Sequence, residues 1–376
     1  MRFLNKQVPP RHPHPRSQQG ITLIELMIAL VIGLLATGAM LKVYIDSSQL
    51  YRFNESLARI QENGRFATEF IRREARMAGF WGCNQGATLT NLINIAATNH
   101  PRYDSSDITG TNGVESNEPN KPDSITFSGA GRNIGTLRND MATPDSALNV
   151  YSTGDFKIGD AVLISDCETA DIFQVTETTG TAPNLTLKHD TEDNTTAELS
   201  KAYTSGSQLY AVRQITFSIA SGADPEQFSL YRLTCPALGD CTGKGDELVE
   251  GIENMQILFG EDIDANDDGT DSDGTAHRYL PPKALGLDMD KVVSVRIFLL
   301  ARSLNDNLTT EQSPYDFVDF TQPLLLPTKQ FPSPDKRLRK EFTTTVALRN
   351  KNWMRTEDVS AGPVGRLSWE QLFPSQ

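Results

Sequence analysis

Residues 21–41, ITLIELMIALVIGLLATGAML, contain a single charge, Glu25. Twenty-one residues at helical rise span roughly 30 Å, the thickness of a bilayer core. A carboxylate inside such a run costs about 2.5–3.5 kcal/mol when central and less near the end, so Glu25 needs a reason. Arg2, Lys6, Arg11 and Arg16 precede the run, with no acid among residues 1–20, and Lys42 follows it. This asymmetry puts the N-terminus in the cytoplasm and the bulk of the chain across the inner membrane. Two readings meet these facts. One is an ordinary secretory signal, cleaved at the small residues near Ala39. The other is a permanent anchor, cut just before the apolar run. An ordinary signal gains nothing from Glu25, which favours the anchor.

No proline occurs from residue 16 to residue 100, and the helical pattern continues past the apolar run. Leu50, Phe53, Leu57, Ile60, Gly64, Ala67 and Ile71 recur at spacings of three and four, with charges on the other faces. The spacing predicts one helix from about Thr22 to about Met77, stopped by Gly79 and Gly82. Its first half is apolar all round and its second half is amphipathic. Beyond residue 83 the pattern alternates in short segments. Strands are expected at 124–128, 161–165, 172–176, 209–220, 228–234, 255–260, 292–302 and 341–349. Residues 84–123 are polar and read as a long loop region; residues 303–336 carry prolines and read as an insertion before the last strand. The expected fold is α+β: a long N-terminal helix packed on an antiparallel β-sheet domain with long loop insertions. The chain's length leaves room for a second small sheet.

The residues around the apolar run carry a resemblance. Gly20 followed by Ile21-Thr22-Leu23-Ile24-Glu25-Leu26 resembles the class III signal of type IV prepilins and type II secretion pseudopilins. The resemblance implies cleavage by prepilin peptidase between Gly20 and Ile21, and N-methylation of the new N-terminus at Ile21. Ile21 departs from the aromatic usual at that position. Glu25 then has a physical role in an assembled filament: it neutralises the N-terminal amine of a neighbouring subunit. Four internal blocks, SDCETADIFQVT (165–176), LVEGIENMQILFG (248–260), VVSVRIFLLARS (292–303) and FTTTVALRN (342–350), resemble the PilW family of type IV pilus minor pilins. That resemblance implies a subunit that primes pilus assembly with other minor pilins of the PilV, PilX and FimU or PilE types. It also implies contact with the major pilin and a place at the pilus tip beside a PilY-type adhesin. The implied organisation is a leader at 1–20, a transmembrane and filament-core helix at 21–42, an amphipathic continuation at 43–80 and a β-rich head at 81–376. A type II secretion pseudopilin, or a surface binding protein on the same anchor, remains the alternative.

The chain carries 35 basic and 48 acidic residues, a net charge of −13. An acidic body repels phosphate, so nucleic acid is not an expected partner. Cys83, Cys167, Cys235 and Cys241 allow three disulfide connectivities in an exported chain. Cys235 and Cys241 enclose a short loop with Pro236 and Gly239, which leaves Cys83 with Cys167; four reduced core cysteines are the alternative. In DIDANDDGTDSDG (262–274), Asp264, Asn266, Asp268 and Gly269 match the front of a calcium loop. Thr275 stands where an EF-hand has glutamate, so Asp271 or Asp273 would have to substitute. A solvated acidic turn is the competing reading, and calcium is the single cofactor to consider. His12 and His14 lie in the leader. His100, His189 and His277 are isolated and expected to be solvated, and no catalytic motif occurs, so no enzymatic activity is expected.

Overall fold

The computed structural model describes residues 20–83, 88–94, 107–111, 113, 121–154, 156–222, 224, 226–235, 243–263, 274–306, 308–309, 311–312, 314–318, 328–331 and 335–350. Helix α1 runs Leu23–Met77, 55 residues without interruption. Gly79 ends it in the left-handed region, at φ 72°. The Gly79 N–H donates to the Ser128 carbonyl at 2.9 Å, and a Cβ at this position would press on the Asp107 carboxyl. Glycine is therefore required twice over, by conformation and by space. Asn350 also caps this end: its Nδ2 lies 3.3 Å from both the Arg76 and Ala78 carbonyls. The chain forms two compact units, Met1–Asn54 and Glu55–Gln376.

In the second unit, eleven strands make the first sheet: β1 (Thr88–Asn91), β2 (Ile108–Thr111), β3 (Ser124–Leu137), β4 (Leu148–Ser152), β5 (Ala161–Ser165), β6 (Thr169–Gln174), β7 (Glu177–Thr181), β8 (Asn184–Lys188), β9 (Gln208–Ser221), β10 (Phe228–Cys235) and β11 (Asp246–Glu250). A second sheet follows, of β12 (Ile252–Glu261), β13 (Arg278–Leu280), β14 (Val292–Arg302) and β17 (Arg339–Ala347), in the order β13-β12-β14-β17. A two-stranded sheet, β15 (Tyr315–Val318) with β16 (Thr328–Phe331), completes the set. Pairing is antiparallel except between β1 and β6. The architecture is α+β, as the residue pattern predicts.

Each expected strand is present, and 161–165 and 292–302 match to the residue. Three expectations change. The region 84–123 is not all loop, for it contributes β1 and β2. Their sequences, TLTN and ITGT, carry almost no apolar alternation; partner strands hold them in place. The insertion at 303–336 contributes the β15–β16 hairpin, whose Phe317 and Val318 pack on Leu258, Phe298 and Leu300 of the second sheet. The helix stripe also starts later than expected. Leu50 is 60% exposed and Phe53 and Leu57 are half-buried; full burial of the stripe begins with Ile60.

From there Ile60, Ala67, Ile71 and Ala75 enter the main core, with Ile125 and Phe127 of β3, Ile215 and Phe217 of β9, and Ile257, Val295 and Ile297 of the second sheet. One helix face thus joins both large sheets in a single core. Strand β5 is buried on both faces. Val162 and Ile164 point into one cluster with Phe173 and Tyr203, while Ala161 and Leu163 point into another with Trp81 and Tyr210. Burial on both sides explains why its sequence is continuously apolar.

Candidate assembly surface

Gly20 precedes the helix in the open, with nothing within 4 Å of a Cβ placed there. Among the described residues nothing demands a glycine at that position. Thr22 caps the helix: the Glu25 N–H donates to Thr22 Oγ1 at 3.3 Å, and Thr22 Oγ1 lies 3.5 Å from Glu25 Oε2. The T-x-x-E spacing is that of a capping box, a local signal in the sequence itself. Glu25 also sits in the first helical turn, where a negative charge meets the positive end of the macrodipole. The carboxylate therefore has a use within its own chain.

Every residue from Gly20 to Ser47 is exposed. Ile21 is 76% exposed and Leu34 73%. Burying an exposed Leu or Ile contributes about 1.5–3 kcal/mol, and this segment presents more than a dozen large apolar side chains. Such a surface calls for lipid or for other apolar helices around it, and the length and composition suit a membrane span.

The head holds the other predicted residues. Cys83 and Cys167 are joined in a disulfide, with Cα atoms 4.8 Å apart. It ties the segment just after α1 to the β5–β6 turn. Cys235 is also disulfide-bonded, while Cys241, its expected partner, lies outside the described residues. Asp264, Asn266, Asp268, Asp271 and Asp273 lie outside them as well. The neck of that acidic segment is described. Asp262 Oδ2 accepts the Gly274 N–H at 2.8 Å, and His277 Nδ1 stands 3.2 Å from Asp262 Oδ1. Buried Glu261 accepts from Arg278 and from the Asp288 N–H. Among the described residues no group of three or more His, Cys, Asp or Glu could hold a metal.

His277 is thus a neighbour of the Asp262 carboxyl, not an isolated histidine. His189 differs from expectation too. It is 2% exposed, packed 5.3 Å from the Phe173 ring, with Nε2 3.2 Å from the Ser146 carbonyl. His100 lies outside the described residues.

A cluster of buried charges, with no sequence signal, closes the second sheet. Arg339, its side chain 1% exposed, pairs with Glu253 at 2.6 Å and with Asp335 at 2.6 Å. Arg302 reaches Glu253 at 3.3 Å, and the Arg337 Nη1 donates to the Ser303 carbonyl at 3.2 Å. Burial pushes the Asp335 carboxyl up, but Arg339 and Arg337 outweigh it and hold it below the usual carboxylate range. Burial alone pushes Asp123 up, to about 7; its oxygens accept the Gly113 and Ile257 N–H groups at 2.9 and 2.8 Å.

Two family models match the chain. Residues 15–41 match the prokaryotic N-terminal methylation motif, and residues 216–350 match the type IV pilus-assembly protein W family, PilW. Among solved structures, a type IV-like pilin from Thermus thermophilus is similar at 12% identity, over 78% of this chain and 96% of that one, with a TM-score of 0.35. No curated protein matches. The methylation motif, which covers the apolar first part of the helix, supports a class III prepilin-type protein. The PilW match begins within β9 and runs through β17, and together with the methylation motif it supports a place among PilW-type minor pilins of the type IV pilus. These are structural subunits, not enzymes.

Proposed function

We propose that this chain is a low-abundance pilus subunit that helps prime type IV pilus assembly. In this reading prepilin peptidase cuts between Gly20 and Ile21, and the Ile21 amine is methylated. The mature protein waits in the inner membrane on residues 21–42, N-terminus on the cytoplasmic side and head in the periplasm. It then enters the pilus, near the tip, with other minor pilins, the major pilin and a PilY-type adhesin as neighbours. One observation carries the proposal. Directly behind an unconstrained Gly20, a fully exposed apolar helix bears one carboxylate at its first turn. Lipid satisfies the apolar side chains, whereas the carboxylate gains most from a cationic partner. A neighbouring subunit's N-terminal amine supplies that partner once the helices are packed together.

Mass spectrometry of the mature protein tests this directly. A methylated N-terminus at Ile21 is expected, and a bulky residue in place of Gly20 should leave the full-length form in the membrane. A mature N-terminus at Ala39 or beyond would sink the proposal.

A further inference from the structure

Beside its buried face, α1 carries a second stripe that the head does not cover. Phe66, Phe70, Arg73 and Met77 recur at spacings of four, three and four, along one flank of the helix. Phe66 is 43% exposed, Phe70 37% and Met77 43%. Three of the four acids of this stretch are occupied, Glu55 with Arg59 at 3.0 Å, Glu69 with Arg72 at 2.6 Å and Glu74 with Arg213 at 2.8 Å, and Glu62 forms no ion pair among the described residues. Arg65, Arg73 and Arg76 form no ion pair among the described residues, and the Arg65 guanidinium lies 5.5 Å from the centre of the Phe66 ring. The rest of the head has the opposite charge. Residues 78–376 carry 24 basic and 42 acidic residues.

We propose that this flank docks the head of a neighbouring pilin-type subunit, in an apolar groove rimmed by carboxylates. The inference rests on the reading of the chain as a pilus subunit and names one of its contacts. Three features point to a protein partner of that chemistry. Aromatic, Met and Arg side chains are those enriched at interfaces, and residues 55–77 contain no lysine, which interfaces avoid. Anchors spaced at four, three and four fit a groove that receives one side of a helix. Finally, Arg65, Arg73 and Arg76 outnumber Glu62, the one acid of this stretch without an ion pair among the described residues, so the flank is left with a positive excess that suits carboxylates on a partner. A lipid surface fits less well. An interfacial helix needs its broad apolar face, and here Ile60, Ala67, Ile71 and Ala75 are already spent on the core.

The test keeps the full chain in its own cells. Benzoyl-phenylalanine replaces Phe66 or Phe70 in some strains and Leu35 of the apolar segment in another, and cross-linked products are identified by mass. Both rings are exposed, so the larger analogue fits without disturbing the core. Products joining Phe66 and Phe70 to a different pilin-type subunit are expected. Arg73→Glu with Arg76→Glu, an independent variant on the polar side, should cut their yield about tenfold. A product from Leu35 without one from Phe66 or Phe70 overturns the docking flank and leaves the subunit reading intact. Adducts with lipid alone, or with a second copy of this chain alone, overturn it as well. Absence of product at all three positions removes both readings.

Discussion

The ring of Phe342, on β17, lies against the backbone of Gly64, on α1, so closely that a Cβ at position 64 would overlap it. In an exposed helix, Gly→Ala gains up to about 1 kcal/mol. Here the sign should reverse. Gly64→Ala forces the ring or the helix to move, at a cost of about 1–3 kcal/mol. Pairing it with Phe342→Leu should recover part of the loss. Thermal melting of the detergent-solubilised chain measures both, and an unchanged or raised melting temperature for Gly64→Ala would contradict this packing.

Glu25→Leu should leave protein level and leader cleavage as they are and reduce pilus number, because the neighbouring amine loses its counter-charge. Glu25→Asp, one methylene shorter, should fall between. Thr22→Val separates the two uses of the carboxylate: it removes the cap hydroxyl that meets Glu25 and keeps the charge. Surface pili are counted in a strain lacking the native copy. Normal numbers with Glu25→Leu would show that this subunit does not use the pair.

Asp123 gives a pH dependence of definite sign. Burial raises its folded-state value to about 7, above that of an unfolded carboxyl, so the folded state holds the proton more tightly. Its contribution to stability is fully present below the unfolded value, near pH 4, and is lost as the pH rises through about 7. The melting temperature should therefore decline between pH 5 and pH 8 by more in the wild type than in Asp123→Asn, over about that range. Parallel slopes for the two proteins would refute the assignment.

Arg339 is the hinge of the buried charge cluster, holding Glu253 and Asp335 together. Removing one partner of a buried pair strands the others, so Arg339→Ala should cost about 3–5 kcal/mol. Glu253→Gln, which keeps the shape, should cost less. Denaturant midpoints of the purified chain report both, and a loss below about 1 kcal/mol for Arg339→Ala would place the cluster in the class of surface pairs.

If the acidic segment binds calcium through Asp264, Asn266 and Asp268, millimolar calcium should raise the melting temperature by linkage. Asp264→Ala with Asp268→Ala should abolish the rise. No rise in the wild type would leave a solvated acidic turn.

Much of this molecule was legible in one dimension, because it depends on period and on nearby residues. The helix Leu23–Met77 follows from an apolar run continued by a three-and-four spacing, without proline, and ends at a glycine that must be one. AVLIS and VVSVRIFLLAR announce themselves as strands by β-branched apolar content alone. The spacing of Gly20 and Glu25 is likewise local, an offset of five residues. Thr22 could have been read from the same few residues, since T-x-x-E is a local signal.

Only the tertiary structure decided the rest. TLTN and ITGT are strands because β6 and β3 offer them an edge, and four residues with a single large apolar side chain each do not foretell that. The Cys83–Cys167 bridge, with a separation of 84, is the pairing left once Cys235 and Cys241 are set in a short loop, and the fold bears it out by bringing the two Cα atoms within 4.8 Å. Arg339 finds Glu253 across 86 residues, and Asn350 caps a helix that ended 273 residues earlier. The division between buried and exposed helix was set in the same way. Leu50 and Ile60 sit on one stripe, but the sheets are there to cover only Ile60. Periodicity states which face of a helix is apolar; how far along that face a partner extends is a property of the packing.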